Sequence, residues 1–285
     1  MYKYRGFNAA VLFLFLLLLF YGTNIETAAD GQDSETVLLD EKEAGAGITA
    51  DLEEMISQLD IRPEYFKAVP LTPEERALLV YTFLQGPRAY REKWPWSGDW
   101  CEKNVAGNSF GGFGCGLCCM ANIYSTLSNY ECSPWSIYEF ATQVSLYYPS
   151  SESGAIGWED MKTTLSAAGF ACDLCAKPST YEEFQEQMKQ IQSAVVLISS
   201  TYDSTFWQDT PGHYVNIWLY REDTDMVFLA EPGNPEKNRT WIPLRYVYDA
   251  LKMVSPYQYL AVSFYAEEAN IWKWNGITDN WNGKY

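Results

Sequence analysis

The chain has 285 residues, and 47% of them are hydrophobic, which is enough for one large folded domain or two small ones. Its 37 acidic residues outnumber 20 basic ones, and the net charge of −17 argues against nucleic acid or an anionic membrane surface as the main partner. A single histidine, His213, excludes metal sites built from several histidines and supplies the only imidazole for catalysis.

Residues 1–29 have the pattern of a signal peptide or a membrane anchor. Lys3 and Arg5 precede an apolar run over residues 9–21, and small residues at 27–29 offer a cleavage position. The run is short for a membrane span, but residues 7–22 would serve as a membrane tether if the segment stayed uncleaved. Either outcome predicts an extracellular or cell-surface location for the rest of the chain.

Residues 30–71 are acidic and poor in aromatic side chains, which is typical of a linker or a removable pro-segment. A short helix is predicted within them, over residues 49–59, from apolar residues at helical spacing. The folded domain is predicted over residues 72–285, with its core at about 94–265.

The first helix of this domain is predicted to begin after Thr72, because Thr72 and Glu75 form a capping-box pattern and Pro73 suits the first turn. It is expected to end near Leu84. Periodicity predicts further helices over about 115–127, 135–146, 157–168, 181–191 and 244–251, and strands over 194–199, 214–221, 226–231 and 257–265. Helices first and antiparallel-looking strands later predict an α+β domain, with the aromatic tail from Trp272 packed on it.

The seven cysteines allow three interpretations, and their odd number leaves at least one thiol free. Two CxxC pairs, at Cys115 and Cys118 and at Cys172 and Cys175, would suit zinc, although the gap between the pairs is longer than a zinc ribbon uses. Cys115 and Cys118 at a helix start also match a thiol–disulfide exchange motif. The third interpretation makes Cys115 a nucleophile.

A cysteine in the first turn of a helix lies at the positive end of the helix dipole, which favours the thiolate. Backbone N–H groups there would stabilise an oxyanion, and Gly114 and Gly116 would let a substrate approach closely. Cys118, one turn into the helix, better fits a small buried core residue.

His213 starts a predicted strand in which His213, Val215 and Ile217 share one face. The next predicted strand ends at Glu231. If the two strands form a hairpin, Glu231 returns to the end where His213 begins, and its carboxylate would orient the imidazole. Asn234 is the alternative for this third position.

The order of these motifs resembles the papain-like cysteine peptidases that process bacteriocin leaders, and above all their exported stand-alone relatives. The motifs are Gly114-Cys115-Gly116 before a helix, Gly212-His213-Tyr214-Val215 at a strand start, and Glu231-Pro232 at a strand end. A glycine-rich turn and helix at 154–161 and the strand at 194–199 fit the same order. The resemblance covers about residues 94–265 and implies a nucleophile helix packed on an antiparallel sheet.

By this resemblance, Cys115 is the nucleophile and His213 its general base, while Glu231 stands where the family usually has Asp or Asn. The family also has a Gln a few residues before the cysteine as an oxyanion donor. No Gln lies between Gln85 and Cys115, so Asn108 is the nearest amide-bearing substitute.

We therefore predict an exported cysteine hydrolase that cleaves peptide or amide bonds. Its substrate would be a peptide or protein, and the net negative charge of the chain would suit a cationic one. This chemistry requires no metal or cofactor. One alternative is a noncatalytic cell-surface binding protein on the same fold, with recognition by the Trp-rich loop 94–100. The other is a thiol–disulfide oxidoreductase that uses Cys115 and Cys118.

Overall fold

The computed structural model describes residues 71–150 and 154–284. The predicted signal segment, the acidic segment up to residue 70 and the helix predicted at 49–59 lie outside the described residues. None of the helices in the described ranges is both long and apolar enough to cross a membrane.

Eight α-helices lie in the described residues and are named α1 to α8 in chain order. They span Pro73–Leu79, Pro87–Arg91, Phe110–Phe113, Cys115–Leu127, Pro134–Val144, Trp158–Ala167, Tyr181–Gln190 and Leu244–Ala250. The strands β1 to β8 span Asn104–Val105, Asn108–Ser109, Ala168–Cys175, Ser193–Ile198, His213–Arg221, Met226–Ala230, Thr240–Pro243 and Tyr259–Asn270. These elements confirm the predicted α+β class.

Strands β3 to β8 form a six-stranded antiparallel sheet in the order β3-β8-β4-β5-β6-β7. Alternating side chains of its strands face two hydrophobic clusters, one on each side. Helix α4 belongs to the first cluster, with all 13 of its residues buried, and contacts β4 and β5. Helices α7 and α8 cover the other face. The buried helix α4 and strand β5 therefore provide a well-packed support for Cys115 and His213.

The strand that begins at His213 keeps the predicted alternation only up to Trp218. Val215 and Ile217 face one cluster, and Tyr214 and Trp218 face the other. The register with β6 then shifts, and Leu219 has a φ of 53°. Because this bulge adds a residue, Leu219 packs against the cluster that contains α4. Strict alternation predicts the opposite face.

The first predicted helix is shorter than expected. Its capping box at Thr72 is confirmed, but α1 ends at Leu79 and not near Leu84. Arg239 explains the early end, because its guanidinium donates to the carbonyls of Ala77 and Val80, each at 2.7 Å. The chain then continues without regular structure through residues 80–85, which are nearly all fully buried.

The C-terminal tail packs on the domain, as predicted. Trp281 contacts the rings of Phe83 and Trp96, with centroids 6.0 and 6.1 Å apart. The backbone N–H of Trp96 donates to the carbonyl of Gly283 at 2.8 Å. The tail thus supports the segment that leads to Gln85.

Candidate functional site

Cys115 is the first residue of α4 and is 7% exposed. The glycines on either side have a packing role that the sequence did not indicate. A side chain on Gly114 would collide with the ring of Phe110 at 2.3 Å, and one on Gly116 would collide with Ile156 at 2.6 Å. These glycines therefore let neighbouring core residues close around Cys115, so the expectation that they leave open space for a substrate is wrong.

The thiol of Cys115 and the imidazole of His213 lie close enough for each to shift the pKa of the other. Burial of the thiol works against the thiolate. The attraction of the His213 imidazole outweighs it, together with the backbone N–H groups of Tyr214 and Gly116, and the pKa of Cys115 lies below its ordinary value. The two residues come from α4 and β5, which pack against each other.

His213 is held from its other side by Glu231. The distance from His213 Nε2 to Glu231 Oε1 is 2.5 Å, and the two side chains are 14% and 4% exposed. Burial of the imidazole opposes its charge, but the Glu231 carboxylate and the Cys115 thiol outweigh this, and the pKa of His213 is raised well above its ordinary value. Because Nε2 faces Glu231, Nδ1 is the nitrogen left for Cys115.

Strand β5 pairs with β6 as an antiparallel hairpin, and Glu231 directly follows β6. Its Oε1 also accepts from the backbone N–H of Gly233 at 2.7 Å. A side chain at Gly233 would lie 3.2 Å from atoms of both Glu231 and His213, so glycine fits this close contact. The carboxylate is thus fixed from two directions.

In the described part of the chain, the side chains of the two other predicted site residues form hydrogen bonds with partners other than Cys115 and His213. Asn234 Oδ1 accepts from the backbone N–H groups of Glu236 and Lys237, within its own loop. Asn108 lies on the short strand β2, where its amide donates to the carbonyl of Ser150. The partner of the imidazole is therefore Glu231, and the amide of Asn108 is engaged elsewhere.

Gln85 is the amide-bearing residue at the site that sequence reasoning missed. It is 7% exposed, and it lines the same cleft as His213 and Glu231. Its Nε2 donates to the carbonyl of Gly111 at 2.7 Å, and its backbone N–H donates to the carbonyl of Pro232 at 2.9 Å. Gln85 was passed over because residues 86–114 separate it from Cys115 along the chain.

The cleft encloses about 490 Å³, with walls formed by Gln85, His213, Glu231 and residues 207–212. Cys115 does not line it. A second cleft of about 310 Å³ is lined by residues of α2, Trp94 and the loop 232–236. Both clefts share Gly233 and Asn234, so they lie side by side next to the His213–Glu231 pair.

The remaining cysteines do not form a second reactive centre. None of the seven forms a disulfide, and Cys118 is fully buried, so burial raises its pKa well above the ordinary value. Cys172 and Cys175 lie three residues apart on β3, where side chains at that spacing point to opposite faces. No group of metal-ligating side chains occurs among the described residues.

Comparison with known proteins adds little to this geometry. No protein-family model matches the chain, and no curated protein matches it. Among solved structures, a crystal structure of a Bacillus anthracis protein named as a C39-like peptidase is similar over 52% of this chain and 88% of that chain, with 14% identity and a TM-score of 0.33. At this level the likeness assigns no activity to the chain.

Proposed function

We propose that this protein is a cysteine hydrolase with a papain-like fold, which cleaves peptide or amide bonds. One observation carries the proposal: the imidazole of His213 contacts the buried carboxylate of Glu231 through Nε2 and lowers the pKa of the Cys115 thiol at a helix N-terminus, next to an open cleft. A buried core histidine needs neither a thiol with a lowered pKa nor a cleft beside it.

In the proposed reaction, the Cys115 thiolate attacks the carbonyl carbon of the substrate and forms a C–S bond, while the carbonyl electrons move to oxygen. The tetrahedral intermediate collapses with cleavage of the C–N bond, and His213 gives its proton to the leaving amine. Water then attacks the thioester, with His213 as base, and the C–S bond breaks to release the acid and the thiolate. Glu231 holds the imidazole in place and stabilises its charge.

The oxyanion would be bound by the amide of Gln85 and by backbone N–H groups at the start of α4. Gln85 fits this role better than Asn108, because Gln85 lines the cleft with His213 and Asn108 does not. An amide donor already held by the Gly111 carbonyl is preorganised and needs little reorientation during the reaction.

The substrate we propose is a peptide or protein segment, because the adjoining clefts of about 490 and 310 Å³ offer room for an extended chain. In the smaller cleft two acidic side chains, Glu92 and Glu236, lie with one basic side chain, Arg88. In the larger cleft Asp209 and Glu231 are matched by Lys237 and the His213 imidazolium. The smaller cleft therefore favours a cationic segment. Export remains a proposal that rests on residues 1–29, and fractionation with mass spectrometry of the mature N-terminus tests it.

The deciding experiment measures the rate of Cys115 alkylation against pH by mass spectrometry, in the wild type and in His213→Ala, beside turnover of a peptide library. We expect rapid labelling well below the free-thiol pKa of about 8.5, suppressed in His213→Ala, with turnover lost in both Cys115→Ala and His213→Ala. Full turnover in either folded variant would reject the assignment. Cys118→Ser should keep the activity, whereas disulfide exchange requires Cys118.

A second candidate function, a noncatalytic binding protein, is favoured by one observation: Cys115 is 7% exposed and does not line the cleft. For this candidate, labelling of Cys115 follows an ordinary thiol profile and does not change in His213→Ala. The alkylation curve therefore separates the two functions before any substrate is known.

A further inference from the structure

The side chains of the proposed site come from separate parts of the chain. Cys115 begins α4, His213 begins β5, and Gln85 ends the irregular segment 80–85. Because these residues are far apart in sequence, noncovalent contacts between α4, β5 and segment 80–85 must fix the distances between them.

One buried side chain bonds to all of these parts. Asn122 lies on α4 and is 0% exposed. Its Oδ1 accepts from the backbone N–H of Phe83 at 2.7 Å, and its Nδ2 donates to Oδ1 of Asn216 on β5 at 3.0 Å. The amide of Asn122 therefore joins the helix of the nucleophile, the strand of the histidine and the segment of Gln85.

Each bonded residue lies about 7–10 Å along its own segment from the site residue of that segment. Asn122 follows Cys115 by seven residues, which is about 10 Å along the helix and nearly the same face. Asn216 follows His213 by three residues, about 10 Å along the strand, and Phe83 precedes Gln85 by two, about 7 Å. A slide of α4 along β5 would break the Asn122–Asn216 bond and move Cys115 relative to His213 by the same amount.

Stability alone does not account for this polar pair. Asn216 is also 0% exposed, and its Nδ2 has no hydrogen-bond partner among the described residues. A buried donor without an acceptor destabilises a fold, and the protein keeps this cost while Asn216 Oδ1 holds the amide of Asn122. The pair is better explained by the geometry that its directional bonds impose.

We propose that Asn122 is a positioning residue that sets the register of α4 against β5 and segment 80–85, and so holds Cys115 and Gln85 at His213. The inference rests on the proposed function. Asn122 itself is buried and touches no substrate.

Thr126 provides a matched control on the same helix, one turn further from the site. It is 0% exposed, and its Oγ1 accepts from the backbone N–H of Tyr81 at 2.9 Å. Thr126→Val removes a buried bond to the same segment without touching the Asn122–Asn216 bond. Asn122→Leu removes both bonds of the positioning amide at similar volume.

The experiment follows Cys115 alkylation against pH in the wild type, Asn122→Leu and Thr126→Val, with folding checked by near-UV circular dichroism and urea unfolding. In Asn122→Leu we expect the labelling midpoint to move to higher pH and kcat to fall about 10- to 100-fold with little change in KM. Thr126→Val should lose stability but keep the wild-type midpoint and kcat within about twofold, because it leaves the helix–strand register intact.

A wild-type midpoint and kcat in folded Asn122→Leu would overturn the inference, and so would an equal shift in Thr126→Val. If Asn122→Leu does not fold, Asn216→Leu decides, because it removes only the bond to the strand and should shift the midpoint in the same direction. A wild type without turnover would refute the proposed function, and the labelling midpoints would still decide the role of Asn122.

Discussion

Replacing Glu231 with Gln removes the charge beside His213 while keeping the shape of the side chain. In the wild type, Glu231 Oε1 accepts from His213 Nε2 at 2.5 Å and from the Gly233 N–H at 2.7 Å. The amide oxygen of Gln occupies the same place and accepts both bonds. The substitution therefore isolates the contribution of the negative charge to the thiolate–imidazolium pair.

The magnitude follows from burial. The Glu231 side chain is 4% exposed, so solvent screens its charge weakly. Hydrogen bonds to charged groups contribute about 1.5–3 kcal/mol and neutral ones about 0.5–1.5 kcal/mol, so the variant loses about 1–1.5 kcal/mol of ion-pair stabilisation. That corresponds to about a tenfold smaller fraction of reactive Cys115 thiolate on the acidic side of the labelling curve.

The sign of the pH effect is fixed by the two titrations. The pKa of Cys115 is lowered by His213, and the pKa of His213 is raised by Glu231 and Cys115, so the ion pair exists between these values. A weaker imidazolium raises the pKa of Cys115 and moves its alkylation curve to higher pH. Alkylation of Cys115 and kcat/KM, both measured across pH, check the shift and a loss of about tenfold at acidic pH.

The control is Asp225→Asn, at the far end of the same hairpin. Asp225 accepts from the hydroxyls of Tyr181 and Tyr220 at 2.6 and 3.0 Å. It should lower stability without moving the alkylation curve. An unchanged curve in Glu231→Gln, or an equal shift in Asp225→Asn, would refute the reasoning about the Glu231 charge.

Further outcomes follow from the surroundings of the site. Gln85→Ala should lower kcat by about 10²- to 10³-fold, the usual loss for an oxyanion donor, without moving the Cys115 alkylation curve. Arg239→Met should lower the free energy of unfolding by about 2–4 kcal/mol in urea titrations, because it leaves carbonyls that accept at 2.7 Å without their charged donor. Trp281→Ala should cost about 2–3 kcal/mol in the same assay, through its lost contacts with Phe83 and Trp96; an effect below 0.5 kcal/mol would show that the tail does not support the domain.

Local patterns predicted the elements that carry the candidate site. The bounds of α4 follow from its glycine-flanked start and apolar run, and α1 starts where the capping box at Thr72 places it. The hairpin of β5 and β6 follows from two short apolar strands and a polar turn, and it returns Glu231 to His213. Each of these signals lies within a short stretch of chain, so sequence alone contains it.

Long-range contacts decided the rest. Strand β3 was not predicted, because Gly169, which has a positive φ, and two cysteines interrupt the alternation of apolar and polar residues. Its strand conformation depends on its pairing with β8. Helix α1 ends early because Arg239, distant in sequence, donates to the carbonyls of Ala77 in its last turn and of Val80 just after it.

The site itself divides in the same way. Sequence order and residue type gave Cys115, His213 and Glu231 as candidates, since each begins or follows a recognisable element. Only the tertiary structure brought Gln85 to the cleft and showed that Asn122 bonds to both Phe83 and Asn216. Periodicity and capping are encoded within a few turns of chain, whereas the meeting of distant segments depends on how the whole core packs.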